Sequence, residues 1–508
     1  MMKSITNILN KIIKTIDMKN ISIIKAIMLT GMFVLLNGCT AKFEELNVSP
    51  NSATVVPASN VLGRGMLSIA GTLFGERLDI YYAGSYSGHL AAIGTGDYEY
   101  RVDINNSMWR GMFIGTTYLV DAANVATKEN NQNIYAAALT LKAYAAHKIT
   151  DMWGKIPYTE AFKLQSDGLL YPVYDQESVA YNAILAELKQ AADIFKTGTG
   201  SLGPGDLLFK GDVTKWRKFC NSLRLRVAIR MSSADAAKAT AVISEILGDP
   251  ASYPVMTLNT ENAYLFFPGI SPDIEYWYQR LGTTTGTYTD QYRTNDVLIS
   301  TLKANSDPRL PVYARTNKWG AYNGYKFGPT QLSDTLNNGN NVSGIGTRFA
   351  NDPKGFSPFM NCAEISFIKA EAYARNLVTG TAQTAYEAGI TLSLSENGIA
   401  AAAITTYLAQ PGVAWGAVAA DNLKKIYLQK WLCLYKQSVE AWAESRRTDV
   451  PLMTNISKNY SSTHTRPPFR MAYADEEKSL NKNFPTTVVE TDIFWGTQMW
   501  WDKRTGIH

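Results

Sequence analysis

Histidines and reactive nucleophiles are the residues where acid–base, metal or covalent chemistry would first be sought. The four histidines stand at positions 89, 147, 464 and 508, and no two have the spacing of metal ligands. The HExxH, paired CxxC and GxSxG patterns of zinc and nucleophile enzymes do not occur in the sequence. His147 and Asp151 are four residues apart near the end of a predicted helix, which favours a local capping contact over a catalytic dyad. We therefore predict no catalytic residue and no metal ligand.

Acid pairs need separate attention because a glycosidase requires only two carboxylates. Asp97 and Glu99 alternate with Tyr98 and Tyr100, as residues on one face of a strand do. A solvated polar strand face is the simpler interpretation of this pattern. The run Asp475-Glu476-Glu477 is typical of the first turn of a helix, where the helix dipole favours negative charge. A glycosidase stays an alternative hypothesis.

The segment 334–346 (DTLNNGNNVSGIG) is where a calcium loop would be expected. If Asp334 were the first ligand of an EF-hand, Leu336 and Ile345 would take the third and twelfth positions. Neither side chain carries an oxygen, so the EF-hand pattern fails. We predict an exposed loop here and no cofactor, while an irregular structural calcium site elsewhere in the chain stays open.

Aromatic residues form clusters in Gly-, Thr- and Asn-rich stretches rather than on helical stripes. The clusters are Tyr81-Tyr82 with Tyr86, Tyr276-Trp277-Tyr278, Tyr288 with Tyr292, and Trp319 with Tyr322 and Tyr325. Aromatic faces pack against sugar rings or peptide side chains, and their polar tips add hydrogen bonds. The alternative is that individual aromatics are loop anchors buried against helices. The predicted ligand-binding residues are Tyr82, Trp277, Tyr278, Tyr288, Trp319 and Tyr322.

The N-terminal segment of the chain has the features of a targeting sequence that precedes the folded part. Lys19 and Lys25 precede the apolar run 26–36 (AIMLTGMFVLL). A basic region followed by a short apolar stretch is the pattern of a secretory signal. The run is shorter than the roughly 20 residues that a membrane-spanning helix needs. We predict a signal peptide at 1–38, and translation starting at Met18 would leave a leader of ordinary length.

Leu36-Asn37-Gly38-Cys39 follows the apolar run. A cysteine directly after Leu-x-Gly resembles the lipobox of bacterial lipoproteins, in which the thiol is diacylated. Asn37 departs from the commonest lipobox residue. We predict that Cys39 is the lipid anchor and first mature residue, and that the polar segment 39–57 is a lipidated tether.

Removal of the leader changes the charge balance. Residues 1–38 carry five lysines and one aspartate, or +4 of the total +5, so the mature chain is about +1. The sequence of the mature chain therefore lacks the excess of basic residues that is typical of nucleic-acid-binding proteins. The overall charge argues for a neutral or weakly charged partner.

Helical patterns dominate the remaining chain. Residues 134–149 (IYAAALTLKAYAAHKI) lack Gly and Pro, and Pro157 prevents the helix from continuing. Short helices joined by brief turns predict stacked hairpins, although no exact 34-residue period is present. The stretches 71–110, 250–360 and 446–508 lack a helical pattern and read as functional loops. The other predicted helices are 177–196, 215–231, 235–247, 362–377, 383–396 and 420–445.

Three cysteines remain after Cys39, and they are far apart among apolar neighbours. Such spacing does not form a disulfide framework. We predict small buried hydrophobic residues at Cys220, Cys362 and Cys433.

Short segments occur in a fixed order along nearly the whole mature chain. They are Phe43-Glu44-Glu45-Leu46-Asn47 with Pro50-Asn51, Ile149-Thr150-Asp151-Met152-Trp153-Gly154-Lys155-Ile156-Pro157-Tyr158, Tyr174-Asp175, Gly211-Asp212-Val213-Thr214-Lys215-Trp216, Asn221-Ser222-Leu223-Arg224-Leu225-Arg226, Glu364-Ile365-Ser366-Phe367 with Ala370-Glu371-Ala372, Gln429-Lys430-Trp431, Glu440-Ala441-Trp442, and Arg446-Arg447. Each segment is weak alone. The ordered set resembles the SusD/RagB family of outer-membrane nutrient-binding lipoproteins of Bacteroidetes-type bacteria.

The resemblance implies a mainly α fold in which tetratricopeptide-like helical hairpins support long irregular loops, with little β structure. It implies a single SusD-like domain at 58–508. It also implies a SusC-like TonB-dependent transporter as partner, over which the lipoprotein closes as a lid. The matching motifs are framework, and Arg224 and Arg226 are expected to pair with acids on adjacent helices. No binding residue transfers from the family position by position.

The expected function is that of a non-enzymatic, surface-exposed outer-membrane lipoprotein. It would bind an oligosaccharide nutrient and hand it to the transporter. The alternatives are a peptide-binding protein of a RagB-like uptake system, a glycosidase with an unrecognised acid pair, and a helical-repeat scaffold that joins envelope proteins.

Overall fold

The computed structural model describes residues 56–92, 98, 100–282, 291–327, 337, 339–454, 456, 462–485 and 494–507. The predicted signal peptide, Cys39, nearly all of the tether, the acid pair Asp97 and Glu99, and Tyr288 lie outside the described residues.

Helices make up most of the described chain, which confirms the predicted mainly helical fold. The helices of eight or more residues are α1 (Ala58–Leu73), α2 (Val102–Lys128), α3 (Gln132–Trp153), α4 (Glu177–Thr197), α5 (Val213–Met231), α6 (Ala236–Gly248), α7 (Asp296–Ala304), α8 (Cys362–Ala374), α9 (Ala382–Glu396), α10 (Ala401–Leu408), α11 (Ala419–Cys433) and α12 (Ser438–Thr448). Shorter helical segments are Glu76–Tyr82, Ala83–Tyr86, Leu164–Asp167, Asn259–Glu261, Tyr276–Leu281, Leu310–Tyr313, Thr347–Ala350 and Asp475–Leu480.

Several long helices begin at a side chain that caps the first turn. Asn131 accepts a hydrogen bond from the backbone N–H of Ile134 at 3.0 Å, and Asp212 accepts one from Lys215 at 3.0 Å. Such caps satisfy one of the N–H groups that a helix leaves without an internal partner, and each contributes about 1 kcal/mol. The caps therefore fix where α3 and α5 begin.

Helices that are neighbours in sequence pack against each other. The packed pairs are α1 with α2, α2 with α3, α3 with α4, α4 with α5, α5 with α6, and α8 with α9. Glycines permit the close approach of α1 and α2, since a Cβ on Gly115 would lie 2.6 Å from the Ile69 side chain. The residues from Pro57 onward form one compact unit.

Two short antiparallel strand pairs complete the fold. Strand β1 (Leu90–Ala92) pairs with β3 (Tyr292–Thr294), and β2 (Ala263–Phe266) pairs with β4 (Phe356–Met360). Each pair joins segments that are far apart in sequence. The β1–β3 pair lies next to the N-terminus of α7, so it anchors the region that carries the candidate site.

A buried charge cluster ties the helices together. Its members come from α3, α5, α8 and α12 and are Lys148, Asp151, Arg226, Arg230, Glu364, Glu440 and Glu444. Arg226 donates to both carboxylate oxygens of Glu364, at 2.7 and 2.5 Å. Arg224 pairs with Glu245 of α6. These contacts confirm the prediction that both arginines pair with acids of adjacent helices.

Helix predictions were wrong in extent at several places, and α7 lies within the stretch 250–360, which was predicted to lack a helical pattern. The predicted helix 420–445 is two helices, α11 and α12, because the chain turns at Lys436, whose φ is +67°. The backbone N–H of Ser438 then donates to Asp79 at 2.8 Å and starts α12 in a new direction. Residues 102–110, predicted to lack a helix, form the first turns of α2. Glycines and asparagines weaken the helical pattern of α2, and its packing on α1 outweighs that weakness.

The remaining framework predictions concern cysteines and acidic turns. Cys220, Cys362 and Cys433 are free and buried, as predicted. The acidic run starting at Asp475 forms the first turn of a short helix, also as predicted. None of the helices in the described ranges has both the length and the apolar character required to cross a bilayer.

Candidate binding cleft at Trp319

The floor of the candidate site is a small apolar cluster separate from the main core. It consists of Ala91 from β1, Tyr325 and Phe327 from one loop, and Val342 from another. All four side chains are nearly inaccessible to solvent. Burial of these side chains holds the two loops against the β1–β3 pair.

Backbone and amide hydrogen bonds join the two loops above this floor. The Lys318 N–H donates to the Asn340 carbonyl at 3.0 Å, and the Asn317 side-chain amide donates to the Asn341 carbonyl at 2.9 Å. Farther along, the Ser343 N–H donates to the Asn323 carbonyl at 2.7 Å. The two loops therefore form a connected platform although they carry little regular secondary structure.

The described part of the segment 334–346 is only in part the exposed loop that its composition predicted: Asn340 is exposed and residues 339 and 341 are half-buried. Residues 342–346 are buried. A Cβ on Gly346 would lie 1.8 Å from the Val312 carbonyl oxygen, so this close approach requires glycine. The glycines at 344 and 346 therefore reflect tight packing, whereas Asn341 lines the cleft.

Helix α7 supplies the opposite wall of the cleft. Asn295 caps the helix by accepting a hydrogen bond from the Val297 N–H at 2.9 Å. The Asp296 N–H donates to the Tyr325 carbonyl at 2.9 Å, which joins the helix to the first loop. At Gly324 the loop runs so close to the helix that a Cβ would lie 2.2 Å from the Cα of Asp296. The wall and the platform are therefore in direct backbone contact.

Between wall and platform lies a cleft of about 730 Å³, which we call the Trp319 cleft. This volume is within the range typical of small-ligand sites, about 300–1,000 Å³. The described residues that line it are Asp296, Ile299, Ser300, Lys303, Ala304, Asn317, Trp319, Tyr322, Asn323, Gly324, Lys326 and Asn341.

Trp319 is the most exposed aromatic feature of the cleft. Its side chain is 72% exposed, yet the indole Nε1–H donates to Asn341 Oδ1 at 3.0 Å. The hydrogen bond fixes the ring while leaving most of its surface open to solvent. Tyr322 is half-buried in the same lining, and its carbonyl accepts a hydrogen bond from Lys303 Nζ at 3.3 Å. A large apolar surface held in one orientation is suited to stacking on a ligand ring.

Among the described residues that line the cleft, Asp296 carries the one carboxylate. Burial raises the pKa of Asp296 above its usual value, while Lys326 and Lys303 oppose that rise by attraction to the charged form. Both lysines therefore lie close enough to Asp296 to attract its carboxylate electrostatically.

Trp277 and Tyr278 were predicted to contact ligand, but they lie elsewhere. Trp277 is fully buried in the core, and its Nε1–H donates to Asp79 Oδ2 at 3.0 Å. Burial raises the pKa of Asp79 to about 7, against the hydrogen bonds from Ser438 and Trp277. Tyr278 is half-buried on the same short helix and does not line the Trp319 cleft. The helix 276–281 turns the Trp277 ring inward, so composition alone misplaced it.

Tyr82 is also a core residue. Its ring packs against Tyr81, with centroids 4.8 Å apart, and against Tyr86 at 6.0 Å. The three tyrosines lie on the helical segments 76–82 and 83–86, within the stretch 71–110 that was predicted to lack helices. Helical spacing turns them towards the core, and none of them lines the Trp319 cleft.

His147 and Asp151 contact each other, but not as a helix cap. His147 Nε2 lies 3.4 Å from Asp151 Oδ2, both side chains are fully buried, and α3 ends at Gly154 instead. Burial lowers the pKa of His147 to about 4, so the ring is neutral. Together with Glu440 the pair offers three potential metal ligands within 4.8 Å. Lys148 and Arg230 already pair with Glu440, so the charge that a cation would supply is present in the protein itself.

Sequence reasoning missed the polar residues of the cleft. Asn317, Asn323 and Asn341 were seen only as loop composition, and Lys303 reads as an ordinary exposed residue of a helix. A usable signal was present, because asparagines recur on both sides of the Trp319 cluster. Their convergence depends on the pairing of two loops about 20 residues apart.

The structure is a fold of paired helices that support a loop-built, partly aromatic cleft. Residues 50–474 match a SusD-like family model described as "Starch-binding associating with outer membrane". The chain therefore belongs to the SusD-like family.

Solved structures share this fold. A SusD-like protein from Bacteroides thetaiotaomicron has a TM-score of 0.74 and 25% identity, covering 88% of this chain and 99% of its own. A chitin-binding SusD homologue from Flavobacterium johnsoniae has a TM-score of 0.72 and 23% identity, covering 87% and 99%. A SusD homologue from Bacteroides uniformis has a TM-score of 0.73 and 23% identity, covering 87% and 99%. No functionally curated protein matches the chain in sequence.

Proposed function

We propose that this protein is a lipid-anchored outer-membrane protein that binds an oligosaccharide in the Trp319 cleft. The observation that carries the proposal is an exposed, hydrogen-bonded tryptophan in a cleft of about 730 Å³. Membership of a family described as starch-binding, and a chitin-binding structural relative, support a saccharide as the ligand class.

Recognition in the cleft would combine stacking with hydrogen bonding. The Trp319 ring would cover the apolar face of a sugar, and Tyr322 would extend that surface. The amides of Asn323 and Asn341 can donate to and accept from hydroxyl groups. No covalent step is needed, so the proposed role is capture rather than catalysis.

The rest of the proposal concerns location and delivery. Diacylation of Cys39 would anchor the chain, and residues 40–57 would serve as the tether. The bound saccharide would pass to a SusC-like TonB-dependent transporter, over which the protein would close. Association of the family with the outer membrane supports this location.

Calorimetric titration with chito- and malto-oligosaccharides tests the binding site. Trp319→Ala should weaken the affinity at least about tenfold, since loss of an anchoring aromatic contact costs about 2 kcal/mol or more. Phe266→Ala is the matched control, because Phe266 is also an exposed aromatic residue (64%) but does not line the cleft. Unchanged affinity in both Trp319→Ala and Tyr322→Ala would refute the site.

The same titrations separate the alternatives. Release of shortened products from the oligosaccharides would favour the glycosidase. Saturable binding of peptides, with no binding of saccharides, would favour the RagB-like role. If neither saccharides nor peptides show saturable binding, the helical-repeat scaffold that joins envelope proteins would be the remaining hypothesis.

Anchoring and delivery need a separate experiment in cells. Cys39→Ala should lose incorporation of labelled palmitate and leave the outer-membrane fraction, whereas Cys220→Ala should retain both. A TonB-dependent transporter should copurify with the wild-type protein from solubilised outer membranes. Palmitate incorporation by Cys39→Ala would overturn the proposed anchor.

A further inference from the structure

Three lysine side chains surround the stacking surface of the Trp319 cleft. Lys303 and Lys326 line the cleft, and Lys318 Nζ lies 5.6 Å from the centroid of the Trp319 ring. Against these three ammonium groups the described lining provides one carboxylate, that of Asp296. The region around Trp319 therefore carries an excess of positive charge, which the overall charge of the chain conceals.

The cleft lysines differ from the buried and half-buried lysines of the framework that do pair with an acid. Lys142 pairs with Glu187 at 2.6 Å and Lys430 with Glu444 at 3.0 Å. Within the described part of the chain, no carboxylate oxygen lies within 4.0 Å of the ammonium group of Lys303, Lys318 or Lys326. Three cations around one cleft repel each other, and a bound anion would relieve that repulsion.

We infer that the Trp319 cleft binds an acidic saccharide, one whose sugar rings carry carboxylate or sulfate groups. The inference rests on the proposed function and narrows its substrate class. A sugar stacked on the open part of the Trp319 ring would bring its substituents within reach of Lys303 and Lys326, which line the cleft, and of Lys318, whose ammonium lies over the same ring. Ammonium groups there would meet the anionic substituents, while the asparagines would meet hydroxyl groups.

Asp296 makes the inference testable in two directions, because its removal and the removal of a lysine should have opposite effects on the affinity for an anion. Its carboxylate shares the cleft with Lys303 and Lys326, so it partly cancels their attraction for an anion. Removal of this negative charge should tighten the binding of an acidic ligand, and removal of a lysine should weaken it. A neutral ligand should respond weakly to either change.

Calorimetry with four probes tests the inference: chitotetraose, tetragalacturonate, a carrageenan-derived sulfated tetrasaccharide, and tetraglutamate. At least one acidic saccharide should bind tenfold or more tightly than chitotetraose at low salt. That advantage should shrink in 1 M salt, where charges are screened beyond about 3 Å. The uronate and sulfate probes show which anionic group the cleft prefers.

Charge variants supply the structural control. The double variant Lys303→Gln/Lys326→Gln should lose at least about tenfold in affinity for the acidic saccharide, and Asp296→Asn should gain about threefold. Lys238→Gln removes the same charge from the exposed face of α6 and should change nothing. Circular dichroism of each variant checks that the fold is retained.

The possible results separate the inference from the proposed function. Equal affinity for neutral and acidic saccharides, lost in Trp319→Ala but unaffected by the lysine variants, would overturn the inference and leave the proposed function standing. Binding of tetraglutamate with no binding of any saccharide would overturn both. Opposite effects of Lys303→Gln/Lys326→Gln and Asp296→Asn, confined to acidic saccharides, would support the inference.

Discussion

Charged side chains occupy both the buried charge cluster and the Trp319 cleft, but their partners differ. In the cluster, Arg226 donates to both oxygens of Glu364, and Glu440 pairs with Lys148 and Arg230. In the cleft, Lys303 is exposed and donates to the backbone carbonyl of Tyr322. Charges satisfied inside the protein hold helices together, whereas charges left exposed beside a cleft are available to a ligand.

The strongest test of this comparison is removal of the central acid of the cluster. Burial alone would raise the pKa of Glu440, but the attraction of Arg230, Lys148 and Arg226 outweighs it and holds the pKa well below its usual range. Glu440→Gln should lower the free energy of unfolding by about 3–5 kcal/mol, because buried cations lose their counter-charge. Urea denaturation followed by circular dichroism measures the change.

Glu387→Gln is the matched control for that experiment. Glu387 lies on the surface of α9 and accepts a hydrogen bond from Gln383 at 2.7 Å. Its replacement should change the free energy of unfolding by no more than about 0.5 kcal/mol. Equal losses in the two variants would show that the cluster does not stabilise the fold.

The stability of the platform should depend on the close packing at Gly324 rather than on charge pairs. A Cβ on Gly324 would lie 2.2 Å from Asp296 Cα and 2.4 Å from its N, so Gly324→Ala must separate the platform from α7. We expect a loss of about 1–3 kcal/mol in stability, typical of forced overpacking. Ligand affinity should fall at least about tenfold, as measured by calorimetry, because Tyr322 and Asn323 move with the loop.

Gly248→Ala separates this steric effect from the general effect of a glycine substitution. No heavy atom lies within 4 Å of a Cβ built on Gly248, at the end of α6. The variant should change stability by less than about 1 kcal/mol and leave affinity unchanged. Normal ligand affinity in Gly324→Ala would show that the wall and the platform need not touch for binding.

The two regions also differ in how far the sequence predicts them. Arg224 and Arg226 were expected to find acids on adjacent helices, and Glu245 and Glu364 provide them. Helical periodicity places such residues on a known face, so their neighbours can be anticipated. The framework was therefore largely predictable, apart from the break at Lys436, which depends on a distant contact between Ser438 and Asp79.

The cleft was less predictable because its parts are distant in sequence. Of the aromatic candidates, Trp319 and Tyr322 line the cleft, whereas Tyr82 and Trp277 are buried. Their local sequences are equally aromatic, and only tertiary packing decides which rings face solvent. Lys303, on α7, reaches the same cleft as the loop residues through the contact at Gly324. No local pattern encodes that contact.

Asp79 offers a test of whether a buried carboxyl group outside the charge cluster is protonated in the fold. Because its pKa in the fold is about 7 rather than the ordinary 3.8, the folded protein holds a proton that the unfolded chain releases. The resulting stabilisation is complete at acid pH and is lost as the pH rises from about 4 to 7. Asp79→Asn stays neutral, so its stability relative to wild type should rise by about 1.3 kcal/mol from pH 5 to 6 and by about 1 kcal/mol from pH 6 to 7.

Urea denaturation of both proteins at pH 5, 6 and 7 gives that difference. Burial lowers the pKa of His89 to about 3 and that of His147 to about 4, which weakens the fold as the pH falls. Both histidines are present in each protein, so their effect cancels in the comparison. Parallel pH profiles would show that Asp79 is ionised in the fold throughout this range.

The smallest expected change in stability is at Trp319 itself. Its ring is 72% exposed and is held by one hydrogen bond to Asn341. Trp319→Ala should therefore change the free energy of unfolding by no more than about 0.5 kcal/mol. Trp277→Ala makes the same substitution at a fully buried ring that donates to Asp79, and should cost about 3–5 kcal/mol. If Trp319→Ala loses ligand affinity but keeps its stability, and Trp277→Ala loses stability, then Trp319 serves binding and Trp277 serves the fold. Comparable losses of stability in the two variants would mean that Trp319 supports the platform, and the affinity lost on its removal would no longer measure stacking.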